Sequence, residues 1–348
     1  MASCPDSAAR AALHPACEEL ASLRDRSASD GPWASGALRA LAQRGILSRF
    51  VPADCGGTAA DEATLVETLA ATATACLTTA LAVSQWAAAV RIIAAGPAPV
   101  RAALLPALAR GATFTTVGIS QLTTSRRHLG RPALAANRDD AGWRLDGICP
   151  WVTGADACET IVTGAQTTAG GQLFFVVPTA AAGVEIEPPL EMLALSGSRT
   201  AVVRLAGVRP AQVIEPEEKN ATRTGGLATT ALALGAARAS IAVVAGEAAR
   251  RQPLAPVAAR LEAEFGGLFE RLTRSAREGL AAEDRDSLRA AATDLVLRAG
   301  QAALTASKGA GFVVGHPVER LVRESLFFLV WSCPQAVADA LLCDFSGG

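Results

Sequence analysis

The chain has 348 residues, enough for two or three domains or one large multi-part fold. Hydrophobic residues make up 50% of it, and alanine supplies much of that fraction, which favours closely packed helices over sheets. Lys and Arg total 32 against 33 Asp and Glu, so the charge balance gives no electrostatic reason to expect nucleic acid or an anionic membrane as a partner. Tyrosine is absent, which removes one common acid–base side chain. The eight cysteines contain no C-x-x-C pair and there are only three histidines, so metal-site spacing is missing. Scattered free thiols suit a reducing compartment, and a cytoplasmic location is expected. The first residues, MASCPDSAARAALHPACEEL, hold no apolar signal core. The most membrane-like run is Leu227–Gly246. Arg238 interrupts it and Ala, Gly and Thr dilute it, so it reads as a buried core helix rather than a span.

In chain order, residues 1–111 read as a helical domain. Thr64–Ala75 and Thr79–Ala95 are Ala-rich with few breakers. Val51–Gly57 (VPADCGG) is a loop by its Pro, Asp and paired Gly. Val100–Arg110 follows two prolines and carries Leu104, Leu105 and Leu108 at helical spacing. Residues 112–222 change period and form a β domain. Thr113–Ser120, Ala133–Arg138, Trp143–Gly147, Glu159–Thr167, Gln172–Thr179, Val184–Glu187 and Thr200–Val208 are short and rich in Val, Ile, Thr and Phe. They imply a mainly antiparallel sheet or barrel, not a Rossmann alternation, and no G-x-G-x-x-G follows a strand. Residues 223–348 are helical again and suggest a bundle. Leu261, Phe265, Leu268 and Leu272 share one stripe, as do Leu288, Ala292, Leu295, Ala299 and Ala302. A segment ends near Gly309–Gly311, and Pro317 opens another helix.

Five segments in this order carry a resemblance. Leu41–Gly57 holds a helix end followed by a V-P-x-x-x-G-G turn. Gly96–Gly111 includes LLPALARG. Asp140–Gly154, DAGWRLDGICPWVTG, is similar to a G-x-x-L-x-G-x-K-x-W-I-T-N pattern. Gly197–Pro210 reads GSRTAVVRLAGVRP, and Gly309–Arg323 reads GAGFVVGHPVERLVR, similar to G-G-x-G…P-V-E-R-x-x-R-D. Together they resemble the acyl-CoA dehydrogenase family. The resemblance implies an α+β fold with an N-terminal helical domain, a central antiparallel β domain and a C-terminal four-helix bundle. It also implies FAD as cofactor, an acyl thioester on coenzyme A or a carrier protein as substrate, and a homodimer or homotetramer, with a hetero-oligomer as a further form.

Residue by residue, Trp151 and Thr153 match the family's W-I-T, which supplies an aromatic wall and a hydroxyl at the flavin. The family's T-E-P-x-x-G-S-D is kept less faithfully: Ser120 matches the Thr and Ser125 stands in for the Ser, while Arg126 and Arg127 replace its end. The family's pyrophosphate-binding Arg, contributed by a neighbouring subunit, falls on Arg251. The F-G after it is missing, since Gln252-Pro253-Leu254 runs straight into the next helix. Gly309 and Gly311 match small residues that let the backbone approach the cofactor. Lys308 and Ala310 depart from that pattern.

The resemblance fails at the base. An acyl-CoA dehydrogenase needs a carboxylate over the substrate's α-carbon. Its usual position, nine residues after Arg323, holds Ser332, and the alternative position on the first C-terminal helix falls on Gly225–Gly226. Cys333 is a weak substitute, because the neighbouring FFLVW run and Pro334 offer nothing to depress a thiol pKa. Three readings stand side by side: an oxidoreductase on acyl thioesters, an oxygenase using reduced flavin on the same fold, and an inactive subunit that completes a partner's site. The Ala-rich, Tyr-free composition inclines all of them toward a biosynthetic pathway in a GC-rich bacterium.

Overall fold

The computed structural model describes residues 15–19, 35–123, 132–167, 171–215, 226–279, 281–331 and 342. After helical residues 15–19, the described residues before the sheet include the helices α1 (Ser35–Gln43), α2 (Glu62–Ala75), α3 (Leu77–Ala94) and α4 (Ala98–Ala109). Asp61 caps α2 by accepting the Thr64 N–H at 2.7 Å. Cys76 breaks α2 from α3 with an extended backbone. Pro97 caps α4, and Pro99 occupies its first turn, where a missing N–H is tolerated.

Eight strands follow: β1 (Thr115–Gly118), β2 (Leu134–Asp139), β3 (Gly142–Val152), β4 (Thr160–Thr167), β5 (Gln172–Pro178), β6 (Val184–Ile186), β7 (Ala201–Val208) and β8 (Gln212–Ile214). They join in the order β6-β7-β3-β2-β4-β5-β8, with β1 added on β4. Most pairings are antiparallel, but β1 and β2 both run parallel to β4, so the sheet is mixed. Two further differences from the sequence reading have a backbone cause. Strand β3 does not stop at Gly147 but runs on to Val152. Its pairing with β7 shifts between Leu145 and Gly147 and again between Cys149 and Val152. Gly147, with φ 139°, and Pro150 therefore sit at irregular positions inside a strand rather than at its end. The short β8, absent from the sequence reading, pairs with β5 over three residues.

The strands alternate between two cores. Phe174 and Val176 of β5 face the helices, while Phe175 and Val177 pack inside the sheet with Leu145, Val152 and Val203. The last four described helices are α5 (Leu227–Ala248), α6 (Ala255–Glu278), α7 (Ala282–Ser307) and α8 (Pro317–Leu326). Helices α3 and α5 are long and apolar enough to cross a membrane, but 67% of the most apolar 18-residue stretch of each is buried inside the fold, as in core helices. Helix α5 crosses α2 at backbone contact: a Cβ on Gly235 would lie 2.2 Å from the Ala70 carbonyl oxygen. Thr74 Oγ1 donates to the Gly235 carbonyl at 3.1 Å and fixes this crossing. The N-terminal helices and the bundle thus share one hydrophobic core.

Candidate functional site

The first group of side chains gathers where β1 and β3 end. Gly118 closes β1, and a Cβ there would lie 3.1 Å from Val152 Cγ2 and 3.3 Å from Cys149 Cβ. The chain then enters a single helical turn, Ser120–Thr123. Buried Gln121 pins that turn: its Nε2 donates to the carbonyls of Gly118 (3.0 Å) and Gly164 (3.1 Å) and to Thr163 Oγ1 (3.2 Å). This places Ser120 beside the end of β3, whose last residues carry Trp151. The indole is 49% exposed, unusual for so large an apolar surface at a strand end.

Thr153, just past β3, is buried, and its hydroxyl lies 3.3 Å from Thr200 Oγ1. Thr200 Oγ1 is in turn 2.8 Å from Ser198 Oγ. The loop that delivers Ser198 and Thr200 is tightly wound, with Leu195 at φ 63° and Arg199 at φ 48°. An Arg199–Asp156 ion pair ties it to the turn after Thr153, with Nε to Oδ2 at 2.8 Å. The carboxylate nearest in sequence to Thr153 is therefore already committed to a guanidinium. Cys149 lies beneath this group, and burial pushes its thiol up to about 11, so it stays protonated at neutral pH.

The second group gathers at the end of the bundle. Arg251 follows α5, and its Nη2 donates to Glu247 Oε2 at 2.8 Å and to the Ala306 carbonyl. Helix α7 ends opposite, at Ser307. Lys308 then turns the chain with φ 55° and ψ −150°. Gly311 packs back on α7 so closely that a Cβ would meet Ser307 Cβ at 2.8 Å, whereas Gly309 has open space. These elements border an open cavity of about 440 Å³, lined among others by Glu247, Arg251, Ser307, Lys308 and His316. His316 caps α8: its Nδ1 accepts the Val318 N–H at 3.2 Å, so in the neutral ring Nε2 carries the proton.

Helix α8 relates the two groups. Pro317 and Val318 at its start line the cavity. Near its other end, Arg323 Nη1 donates to the Leu193 carbonyl at 2.6 Å, in the loop that leads to Ser198 and Thr200. Ten residues at about 1.5 Å each make α8 roughly 15 Å long. Ser120 thus lies on the turn that packs on β3, whose end leads through Trp151 to Thr153, while Arg251 reaches the Ala306 carbonyl just before the turn that holds Gly309 and Gly311. Ser125, Arg126, Arg127, Gly225, Ser332 and Cys333 lie outside the described residues. Gly226 caps α5 and brings no carboxylate. Sequence reasoning missed Ser198, Thr200, Glu247 and His316. The S-R-T spacing was visible in the segment before β7, but its pairing with Thr153 depends on the wound loop.

A family model described as acyl-CoA dehydrogenase, N-terminal domain, matches residues 7–112. Solved structures match over nearly the whole chain. The butyryl-CoA dehydrogenase of Megasphaera elsdenii superposes with a TM-score of 0.82, covering 97% of each chain at 17% identity. The chain has the acyl-CoA dehydrogenase fold. The FAD complex of PigA gives 0.84 at 13% identity, covering 100% of this chain and 98% of the other. The dibenzothiophene monooxygenase of Paenibacillus sp. A11-2 gives 0.79 at 16% identity, covering 97% of each chain. No curated protein matches in sequence. On the acyl-CoA dehydrogenase fold, the helices–sheet–helices order of this chain is the family's own layout.

Proposed function

We propose that this chain is a flavin-dependent oxidoreductase that binds FAD and acts on an acyl thioester. The observation that carries the reading is the half-exposed Trp151 two residues before buried Thr153, whose hydroxyl joins those of Thr200 and Ser198. A flavin needs a flat apolar wall and a hydrogen-bond partner at its ring edge, and these residues fit both needs. The rest of the dinucleotide needs cations and a close-lying backbone, which the cavity at Arg251 and the turn through Gly309 and Gly311 offer. When bound, the flavin supplies hydride acceptance or, reduced, oxygen activation. The chain's own part is to hold it: Trp151 stacks, Thr153 orients through Thr200, and Arg251 meets phosphate. Solved neighbours on this fold include a butyryl-CoA dehydrogenase and an FAD complex, which agree with that assignment.

The test is direct. Purified protein should carry or take up FAD, seen as visible absorption bands and quenched flavin fluorescence. Anaerobic addition of a short acyl-CoA should bleach the bands. A protein that neither retains nor binds FAD sinks the reading.

One observation favours a second reading. Neither Ser332 nor Gly225–Gly226 supplies the carboxylate that α-proton removal requires. A neighbour on the same fold is a monooxygenase. Under this reading the chain takes reduced flavin and consumes oxygen, and acyl-CoA leaves the oxidised spectrum unchanged. Oxygen uptake that depends on supplied reduced flavin separates the two.

A further inference from the structure

Three hydroxyls form a chain at the end of β3. Thr153 Oγ1 lies 3.3 Å from Thr200 Oγ1, which lies 2.8 Å from Ser198 Oγ. All three residues are buried, and Ser198 is closed off entirely. Val152 packs inside the sheet, so by the alternation of a strand Trp151 and Thr153 leave the chain on the opposite face. The loop that brings Ser198 and Thr200 is built to hold them. Leu195 and Arg199, on either side of its single turn, take left-handed conformations that residues with side chains seldom adopt. The Ser198 N–H donates to the Leu195 carbonyl at 2.8 Å, and the Gly154 N–H donates to the Arg199 carbonyl at 3.3 Å.

The hydroxyl chain has a direction. Three hydroxyls carry three protons, and the two contacts between them use one proton each. Among the described residues, Ser198 Oγ has Thr200 as its one partner. If Ser198 only accepted, its own proton would be left unpaired where no water reaches, which is the costly arrangement. Ser198 therefore donates to Thr200, and Thr200 donates to Thr153. Thr153 keeps its own proton for an acceptor outside the trio. The 3.3 Å contact is long for two hydroxyls and has room to shorten when such an acceptor polarises the chain.

We infer that Ser198 and Thr200 are positioning residues that fix Thr153 as a hydrogen-bond donor, so that the site favours the oxidised flavin ring over the reduced one. The inference rests on the flavin reading and adds the redox bias of that same site. The oxidised ring edge presents bare nitrogen and carbonyl acceptors. Two-electron reduction, with protons taken from solvent, puts hydrogen on ring nitrogen and turns an acceptor into a donor. A fixed hydroxyl donor bonds the first form and opposes the second. To accept from the reduced ring, Thr153 must turn its proton away, and the Thr200 proton that holds its oxygen resists that turn.

The bias is measured by anaerobic titration of the FAD-loaded protein with dithionite against a dye of known potential, on wild type, Thr200→Val, Thr200→Ser and Ser198→Ala. FAD affinity is read from fluorescence quenching, and folding from the melting curve. Thr200→Val keeps the shape, removes the hydroxyl and frees Thr153 to rotate. It should raise the reduced-to-oxidised ratio at a fixed potential about tenfold, an upward shift of about 30 mV for two electrons. Thr200→Ser keeps the hydroxyl and should stay at the wild-type potential. Ser198→Ala lets Thr200 turn and should shift the potential the same way; it carries the test if Thr200→Val does not fold. A merely structural role weakens both redox forms equally and leaves the potential unmoved. An unmoved or lowered potential overturns the inference, as does a Thr200→Ser shift as large as that of Thr200→Val, and in both cases bound FAD leaves the flavin reading standing. A wild type that takes up no FAD removes the flavin reading itself, and this inference with it.

Discussion

Three residues show how far a side chain's role follows from its neighbours. Trp151 and Thr153 were legible in the sequence because W-x-T sits inside a longer pattern, GICPWVTG. The surroundings of Thr153 were not legible, because the hydroxyls of Thr200 and Ser198 arrive from a loop more than 40 residues away in sequence. Gln121 was not singled out at all, yet its amide holds the carbonyls of Gly118 and Gly164 together beneath that group. Gln121→Leu keeps the volume and removes the donors, so the Gly118 and Gly164 carbonyls each lose one, although Gly118 keeps the Thr163 hydroxyl at 2.6 Å. A loss of about 1–3 kcal/mol is expected in urea unfolding, with the Trp151 surface less well ordered for flavin. The buried thiols give a second residue-scale prediction. Burial raises both Cys17 and Cys149 to about 11, so almost no thiolate exists at pH 8. Peptide mapping after iodoacetamide treatment of the folded protein should find both unmodified, and both alkylated in urea. Rapid native labelling of Cys149 would contradict its place beneath the candidate site.

At the scale of elements, helices were read well because their signals are local. Prolines at the entry of α4 and Pro317 at the entry of α8 each mark a start, whereas the Asp61 cap was not read and α2 begins two residues before the expected Thr64. Strands were read less well where glycine and proline looked like terminators. In β3 the fold uses Gly147 and Pro150 as irregular positions and keeps the strand going, a decision made by pairing with β7 rather than by local preference. The Asp61 cap is testable. Accepting the Thr64 N–H holds its carboxyl below the ordinary 3.8. A depressed folded-state pKa stabilises the fold above the unfolded value, and that stabilisation is lost as pH falls through the folded value. Asp61→Ala should therefore lose about 0.5–2 kcal/mol at pH 7. The gap to wild type should shrink below about pH 4, where the unfolded carboxyl takes up its proton. The α2–α5 crossing is stricter. Gly235→Val places a side chain where Ala70 backbone already lies 2.2 Å from a Cβ, and backbone cannot step aside as a side chain can. A loss of about 1–3 kcal/mol or failure to fold is expected, and a soluble variant with wild-type melting would show that the crossing is looser than described.

For the whole molecule, the order of helices, sheet and helices could be read from the change of hydrophobic period, and a site shared between subunits was expected from the resemblance alone. Within one chain the Trp151–Thr153 group and the Arg251–Lys308 cavity lie toward opposite ends of α8, and if Arg251 acts from a neighbouring subunit, as the resemblance implies, one FAD draws on two copies of the chain. An apolar surface beside the cavity offers a place for that copy. Phe312, Val313 and Val314 follow one another at 79%, 61% and 88% exposure, and three adjacent exposed hydrophobics are costly to leave in water. If they pack against a second copy, Val314→Asp puts a charge into that contact while touching little in its own chain. Sedimentation should then shift from a dimer or larger species toward monomer, with flavin lost in parallel and the far-UV spectrum unchanged. The coupling is the decisive part: if the two halves of the site meet across subunits, assembly and flavin retention fall together. A monomeric wild type that keeps its flavin would break this link and place both halves of the site in one chain.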